Sequence, residues 1–311
     1  MTIQEDIFRL NRNPQLSDWF RNELDKLISF GIYHNQVPEL AYSIRESLIE
    51  YTDQYDVNTV LIGMSGGIDS AVTAALFKNA GWRVLGITMP IHQKQNETDR
   101  GIEACEALGI EHRQVDLSAP YDNLVEFYRT RGIDYVNDVR SRKAAMRMGN
   151  IRARLRMITL YNLASAENGI VASTDNFSEL AAGFWTLHGD VGDVSPIQAM
   201  TKSWEVPALA EHLGVPRSIV EAVPTDGLGI SNSDEDQFGF SYLEFDIALF
   251  ALMRGGVVLD DLNDSDRKIV QAVADRVRST TYKRANPFNL DHPLDGRRYD
   301  DLAQLDIYLR S

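Results

Sequence analysis

Apolar positions fall into two alternating rhythms through the first half of the chain. Thr59-Val60-Leu61-Ile62-Gly63 reads as a short buried strand, and Ala71 to Asn79 as a helix ending before Gly81, a C-cap. A second strand follows at Arg83 to Met89, a helix near Glu97 to Leu108, and a third strand at Ile110 to Leu117. Such alternation implies right-handed βαβ units, so the expected fold is α/β: a doubly wound parallel sheet flanked by helices, Rossmann-like in organisation. Residues 118 to 142 give weaker signals and read as a connecting stretch. A long helix from about Lys143 to Glu167 is apolar on several faces through Ile151, Leu155, Ile158 and Leu163. That breadth implies burial on more than one side, as at a subunit interface. Another buried strand is expected at Gly169 to Ser173, then helices from about Lys202 to Leu213 and Ser265 to Arg278, with a Gly-rich acidic loop from Thr225 to Asp236 between them.

Ahead of the sheet, Ser17 is placed to cap a helix bearing Trp19, Phe20, Leu24, Leu27 and Ile28, and Pro38 to open a second one reaching Ile49. The expected organisation is therefore a helical extension over 1–56, packed on the core or on a partner subunit, a main domain over 57–290, and a tail over 291–311.

The first strand runs into Ser65-Gly66-Gly67-Ile68-Asp69-Ser70 and then into the alanine-rich helix. Two adjacent glycines let the backbone turn sharply and bring its N–H groups to an anion, and a helix start adds partial positive charge. Asp69 suits an anion that arrives with Mg²⁺, because a hard cation takes carboxylate and phosphate oxygens together. An ordinary strand-to-helix turn needs one capping residue, not this whole string. No G-x-x-x-x-G-K-[ST] is present, so the loop is not a Walker A loop. Ligands of open α/β sheets lie beyond the carboxyl ends of the strands, where Thr88-Met89-Pro90 and Thr174-Asp175-Asn176 also fall; Ile87 to Met89 reads equally as a platform for a nucleotide base and as a simple strand end.

Composition excludes several classes. Of 311 residues 44% are hydrophobic and 24% charged, enough for a substantial core. No apolar run approaches the ~20 residues of a membrane span, and the acidic start Met1-Thr2-Ile3-Gln4-Glu5-Asp6 is not a secretory signal. A net charge of −14 argues against nucleic acid as a partner. The single cysteine, Cys105, excludes an internal disulfide framework and fits a reducing compartment, by default the cytoplasm. It lies on an apolar helix face with Ile102 and Leu108, as a structural thiol would. Against the acidic background stands a stretch from Val139 to Ala166 with no acid and with Arg140, Arg142, Lys143, Arg147, Arg152, Arg154 and Arg156, which points to a bound anion ahead of the alternative, a solvated helix face paired with acids elsewhere.

The string S-G-G-x-D-S resembles the pyrophosphate loop of the N-type ATP pyrophosphatases. Further along, Gly149-Asn150-Ile151-Arg152-Ala153-Arg154-Leu155-Arg156-Met157, then Ser173-Thr174-Asp175-Asn176-Phe177-Ser178-Glu179, Gly189-Asp190, Pro196 and Lys202 resemble the ammonia-dependent NAD synthetase family in that order. Pro224-Thr225-Asp226, Asp234-Glu235, Phe238-Gly239, Tyr242 and Lys283-Arg284 extend the likeness over roughly residues 40 to 290. It implies a homodimer in which ATP, deamido-NAD and ammonia give NAD, AMP and pyrophosphate through an acyl-adenylate.

Carried over by position, the resemblance implies that Gly63, Met64, Ser65, Gly66, Gly67, Ile68, Asp69 and Ser70 hold ATP phosphates, with Thr174, Lys202 and Thr225 adding contacts. Asp69 and Glu179 would be Mg²⁺ ligands, Asp69 and Lys202 the groups most directly engaged in catalysis, and Arg154, Asp193 and Lys283 contacts to deamido-NAD. Glutamine-dependent relatives carry an additional amidase domain for which this length leaves no room, so free ammonia, or ammonia from a separate partner, is the expected donor. Three positions depart from the family pattern: Leu187 stands where a lysine is usual, Ser173 where a glycine is, and Tyr282 where some members have histidine. The ATP half is thus matched more fully than the acceptor half. The readings left beside it are an ATP pyrophosphatase acting on another carboxylate or carbonyl, and a dinucleotide-binding regulator without turnover.

Overall fold

A computed structural model describes residues 2–33, 35–133, 142–222, 235 and 239–285. Strands β1 (Thr59–Gly63), β2 (Arg83–Thr88), β3 (Glu111–Gln114) and β4 (Ile170–Val171) form one parallel sheet in the order β3-β2-β1-β4. Leu61 stands opposite Leu85 on one side and Val171 on the other. The order reverses between β1 and β4, which creates a crevice at their carboxyl ends.

Successive side chains of β1 point to opposite faces. Val60 and Ile62 join a core with helices α3 (Val37–Tyr55), α4 (Ile68–Asn79), α5 (Gln95–Leu108) and α9 (Glu205–His212). Leu61 joins the other, with Tyr121 of α6 (Ser118–Thr130) and with Met157, Leu160 and Ala164 of α7 (Arg142–Glu167). Covered on both faces, β1 reads as an unbroken apolar run for that reason.

Helix α4 starts three residues earlier than the pattern implied. Gly67 is its extended N-cap, so Asp69 falls in the first helical turn, where a carboxylate is favoured by the helix dipole. Helix α9 begins later, at Glu205, because the Glu205 carboxylate accepts from the Thr201 N–H and hydroxyl and holds residues 201–204 as a turn. The stretch expected as a connection contains α6, while β4 is only two residues long because Val194 takes up the Ser173 N–H. The helical extension expected over 1–56 begins with α1 (Ile3–Leu10), while sequence periodicity passed over α8 (Phe177–Ala182), α10 (Arg217–Val220), α11 (Tyr242–Arg254) and the one-turn α13 (Thr281–Arg284). Helices α1 and α2 (Asp18–Ser29) share a third apolar core with α11 and α12 (Asp264–Ser279), through Ile7, Phe20, Leu24, Phe245, Ile247 and Val270. No described helix is long and apolar enough to cross a membrane.

Candidate active site

The crevice between β1 and β4 opens into a cavity of about 530 Å³. Its floor is the glycine loop, and Gly63, Met64, Ser65, Gly66, Gly67, Ile68 and Asp69 all line it. Gly66 has φ +82°, and a Cβ there would sit 2.2 Å from the Glu97 carbonyl oxygen, so no other residue fits this turn. The loop is fastened from within: the Gly67 N–H donates to Ser65 Oγ (3.2 Å), Ser70 Oγ donates to the Gly67 carbonyl (3.0 Å), and Arg100 Nε to the Gly66 carbonyl (3.3 Å). Ser70, expected to touch phosphate, is instead buried beneath the loop and outside the cavity lining.

Three segments far apart in sequence meet above the loop. Lys202 Nζ bonds to Asp69 Oδ2 and lies 3.2 Å from Glu179 Oε1. Both carboxylates therefore converge on one cation position. Asn176, fully buried after β4, fixes the pair: its Nδ2 donates to Asp69 Oδ1 (2.9 Å), and its Oδ1 accepts from the Glu179 N–H (3.0 Å) as the N-cap of α8. Thr174 lines the cavity beside them, while Thr225 lies outside the described residues.

The three residues carried over for the dinucleotide go different ways. Lys283 lines the cavity, donates to the carbonyls of Gly183 (2.6 Å) and Trp185, and lies 5.5 Å from the Trp185 ring centroid. Burial lowers its pKa below the usual lysine value, against the opposing pull of Asp190. Arg154 is exposed, outside the cavity, with Nε donating to the Leu187 carbonyl (3.1 Å). Asp193 is also outside it, and its carboxylate accepts from Tyr161 OH (2.9 Å) and from the Val171 N–H (2.9 Å), closing the edge of β4.

Of the arginines of α7, the one that lines the cavity is Arg156. It donates to the Met89 carbonyl (3.1 Å) and to Gln93 Oε1 (3.0 Å), and burial brings its pKa down to about 10, still cationic at neutral pH. Helical spacing contained this signal: Met146, Asn150, Ala153, Met157 and Leu160 form the cavity-facing stripe of α7, and Arg156 borders it three residues after Ala153. Two acids complete the wall. Asp175 and Asp190 are both pushed up by burial, Asp175 further by Asp190, Glu179 and Asp69, and the Thr186 N–H donates to Asp190 (2.5 Å). The Trp185 indole N–H is buried and has no hydrogen-bond partner among the described residues.

Strand order, the loop's position and the paired carboxylates place the chain among the α/β enzymes that hold a nucleoside triphosphate by its phosphates. Within that class it belongs to the NAD synthase family, whose model matches residues 40–287. It is accordingly a ligase that forms a carbon–nitrogen bond. The chain is 31% identical over 257 residues to the NH3-dependent NAD(+) synthetase of Finegoldia magna, covering 81% of this chain and 97% of that one. Among solved structures it is similar to an NMN synthetase from Francisella tularensis, with 28% identity, a TM-score of 0.68 and coverage of 80% and 95%. The NH3-dependent NAD synthetase of Campylobacter jejuni gives 25% identity, a TM-score of 0.65 and coverage of 82% and 99%.

Proposed function

We propose that the chain amidates deamido-NAD with ammonia, driven by cleavage of ATP to AMP and pyrophosphate. The observation that carries this reading is the meeting of Asp69, Glu179 and Lys202 above the glycine turn. A nicotinate carboxylate is a poor electrophile. It attacks the α-phosphorus of ATP, pyrophosphate leaves, and ammonia then displaces AMP from the acyl-adenylate. The protein's share is positioning and charge neutralisation around the departing pyrophosphate. The loop amides and Lys202 face that charge, and Ile87 and Met89 offer an apolar wall for the base. Asp175 and Asp190 line the same cavity, and burial raises the proton affinity of both. Asp69 and Glu179 suit Mg²⁺, a reading supported by the contact of both carboxylates with the one Lys202 ammonium. Bound with ATP, that ion would neutralise the phosphate oxygens. A homodimer accords with α7, where Ile158 remains 66% exposed. Incubation with ATP, Mg²⁺, ammonium and deamido-NAD, followed by chromatography, should yield NAD and AMP; AMP without NAD, or neither, would refute the reading.

One observation favours a second acceptor. Arg154 is tied to the Leu187 carbonyl and Asp193 to the sheet edge, and Leu187 supplies no cation. Among the described residues little then addresses the adenylate half of deamido-NAD, and nicotinate mononucleotide would use the same chemistry without that half. Leu187→Lys separates the two. It is expected to lower the KM for deamido-NAD several-fold and to leave those for ATP and nicotinate mononucleotide unchanged, since an added ground-state contact is uniform binding. Parent kcat/KM at least tenfold higher for nicotinate mononucleotide would establish the shorter acceptor.

A further inference from the structure

We infer that the N-terminal helices, which precede the residues matched by the family model, brace the lysine of the active site: Asn11 and Tyr33 act with Asp246 to fix the backbone that carries Lys202. The inference rests on Lys202 having the phosphate-facing role given above. Its support is the treatment of the next residue, Ser203, which is held at three separate atoms. The Ser203 N–H donates to Asp246 Oδ2 (3.1 Å), its carbonyl accepts from Asn11 Nδ2 (2.7 Å), and its hydroxyl lies 3.3 Å from Tyr33 OH. The Lys202 N–H donates to Ser178 Oγ (2.9 Å), and that hydroxyl donates in turn to Asp246 Oδ1 (2.5 Å). A single buried carboxylate thus joins the segment carrying Lys202 to the helix carrying Glu179.

Tyr33, Ser178, Ser203 and Asp246 are all within 1% of complete burial. Burial raises the Asp246 pKa to about 6, which leaves it ionised at neutral pH and able to accept both bonds. Asn11 is itself set by the end of α1, where its Nδ2 also donates to the Ile7 carbonyl (2.7 Å). The outer contacts of α1 run to the same region. Arg9 pairs with Glu211 at 2.6 Å, and Arg12 donates to the Glu221 carbonyl at 2.9 Å.

Apolar packing alone would have anchored α1 and α2, and Ile7, Phe20, Leu24 and Leu27 provide it. Polar groups converging on the neighbour of one lysine do something else: they set a peptide plane. Without the Asn11 donor the Ser203 carbonyl is left unsatisfied, and the local way to relieve that is to rotate the peptide and shift Lys202. A misplacement of about 1 Å can cost on the order of a hundredfold in rate.

The test uses the full chain, with kcat, KM and Tm measured together. Asn11→Ala combined with Tyr33→Phe should lower kcat about tenfold, keep the ATP KM within about twofold, and lower Tm by only a few degrees. Ile28→Ala, which thins the same apolar layer without touching Ser203, should lower Tm comparably and leave kcat unchanged. In a Lys202→Ala background the double substitution should have no further effect on kcat, because nothing remains to be positioned. Unchanged kcat in the double variant, an equal loss in Ile28→Ala, or losses that multiply with Lys202→Ala would each overturn the brace. Full activity of Lys202→Ala itself would remove the lysine's role and the brace with it; an impaired Lys202→Ala beside an unimpaired double variant removes the brace alone.

Discussion

Asp69→Asn and Glu179→Gln are each expected to reduce AMP formation about a thousandfold while the protein stays folded. A thousandfold is about 4 kcal/mol of transition-state stabilisation, the range expected when one of two carboxylates on a metal–phosphate centre loses its charge. Both substitutions preserve shape. In each, Lys202 keeps the other carboxylate as its partner, so the buried ammonium is not stranded. Initial rates with saturating Mg²⁺ and ATP, read beside thermal melts, check this. Turnover within tenfold of the parent in either variant would remove that carboxylate from the metal site.

Lys202→Met should lower kcat at least a hundredfold and should also change how the empty site responds to cations. With the ammonium gone, Asp69 and Glu179 face one another near Asp175 with no positive charge between them. Like charges so placed destabilise the folded chain, and a divalent cation relieves them. Mg²⁺ without ATP should then raise Tm by several degrees in Lys202→Met and by little in the parent. A variant whose Tm ignores Mg²⁺ would mean that the two carboxylates do not share one cation position.

The sheet was legible because β1 is buried on both faces, which leaves an unbroken apolar run, and because its loop needs glycine for steric reasons that survive in any context. Asp69, Glu179 and Lys202 were legible through the order of short motifs, and geometry brings all three together. Arg154 and Asp193 were carried over by position, and their side chains turn away from the cavity. In an α-helix the residue two places on points to nearly the opposite side, so Arg156 faces the site where Arg154 does not. Helix α11 was missed although Ser241 and Glu244 form its capping box, because it is apolar on nearly every side and shows no amphipathic period. The contact between Asn11 and Ser203 spans 192 residues, and nothing local marks either partner. Long-range hydrogen bonds of this kind depend on how layers dock, which a periodicity cannot express.

The only cysteine of the chain turns a packing detail into a reporter. Cys105 is fully buried in α5, and its Sγ occupies the space left by Gly86 of β2, where a Cβ would come within 2.5 Å of the sulfur. Burial pushes its pKa up to about 12, so almost no thiolate exists at neutral pH. Peroxide and alkylating reagents should therefore spare the native enzyme, and its activity should survive storage without reductant. Whatever labelling does occur requires α5 to lift from β2, the strand beside the glycine loop. The rate of thiol modification then becomes a clock for opening of the sheet, and ATP should slow it.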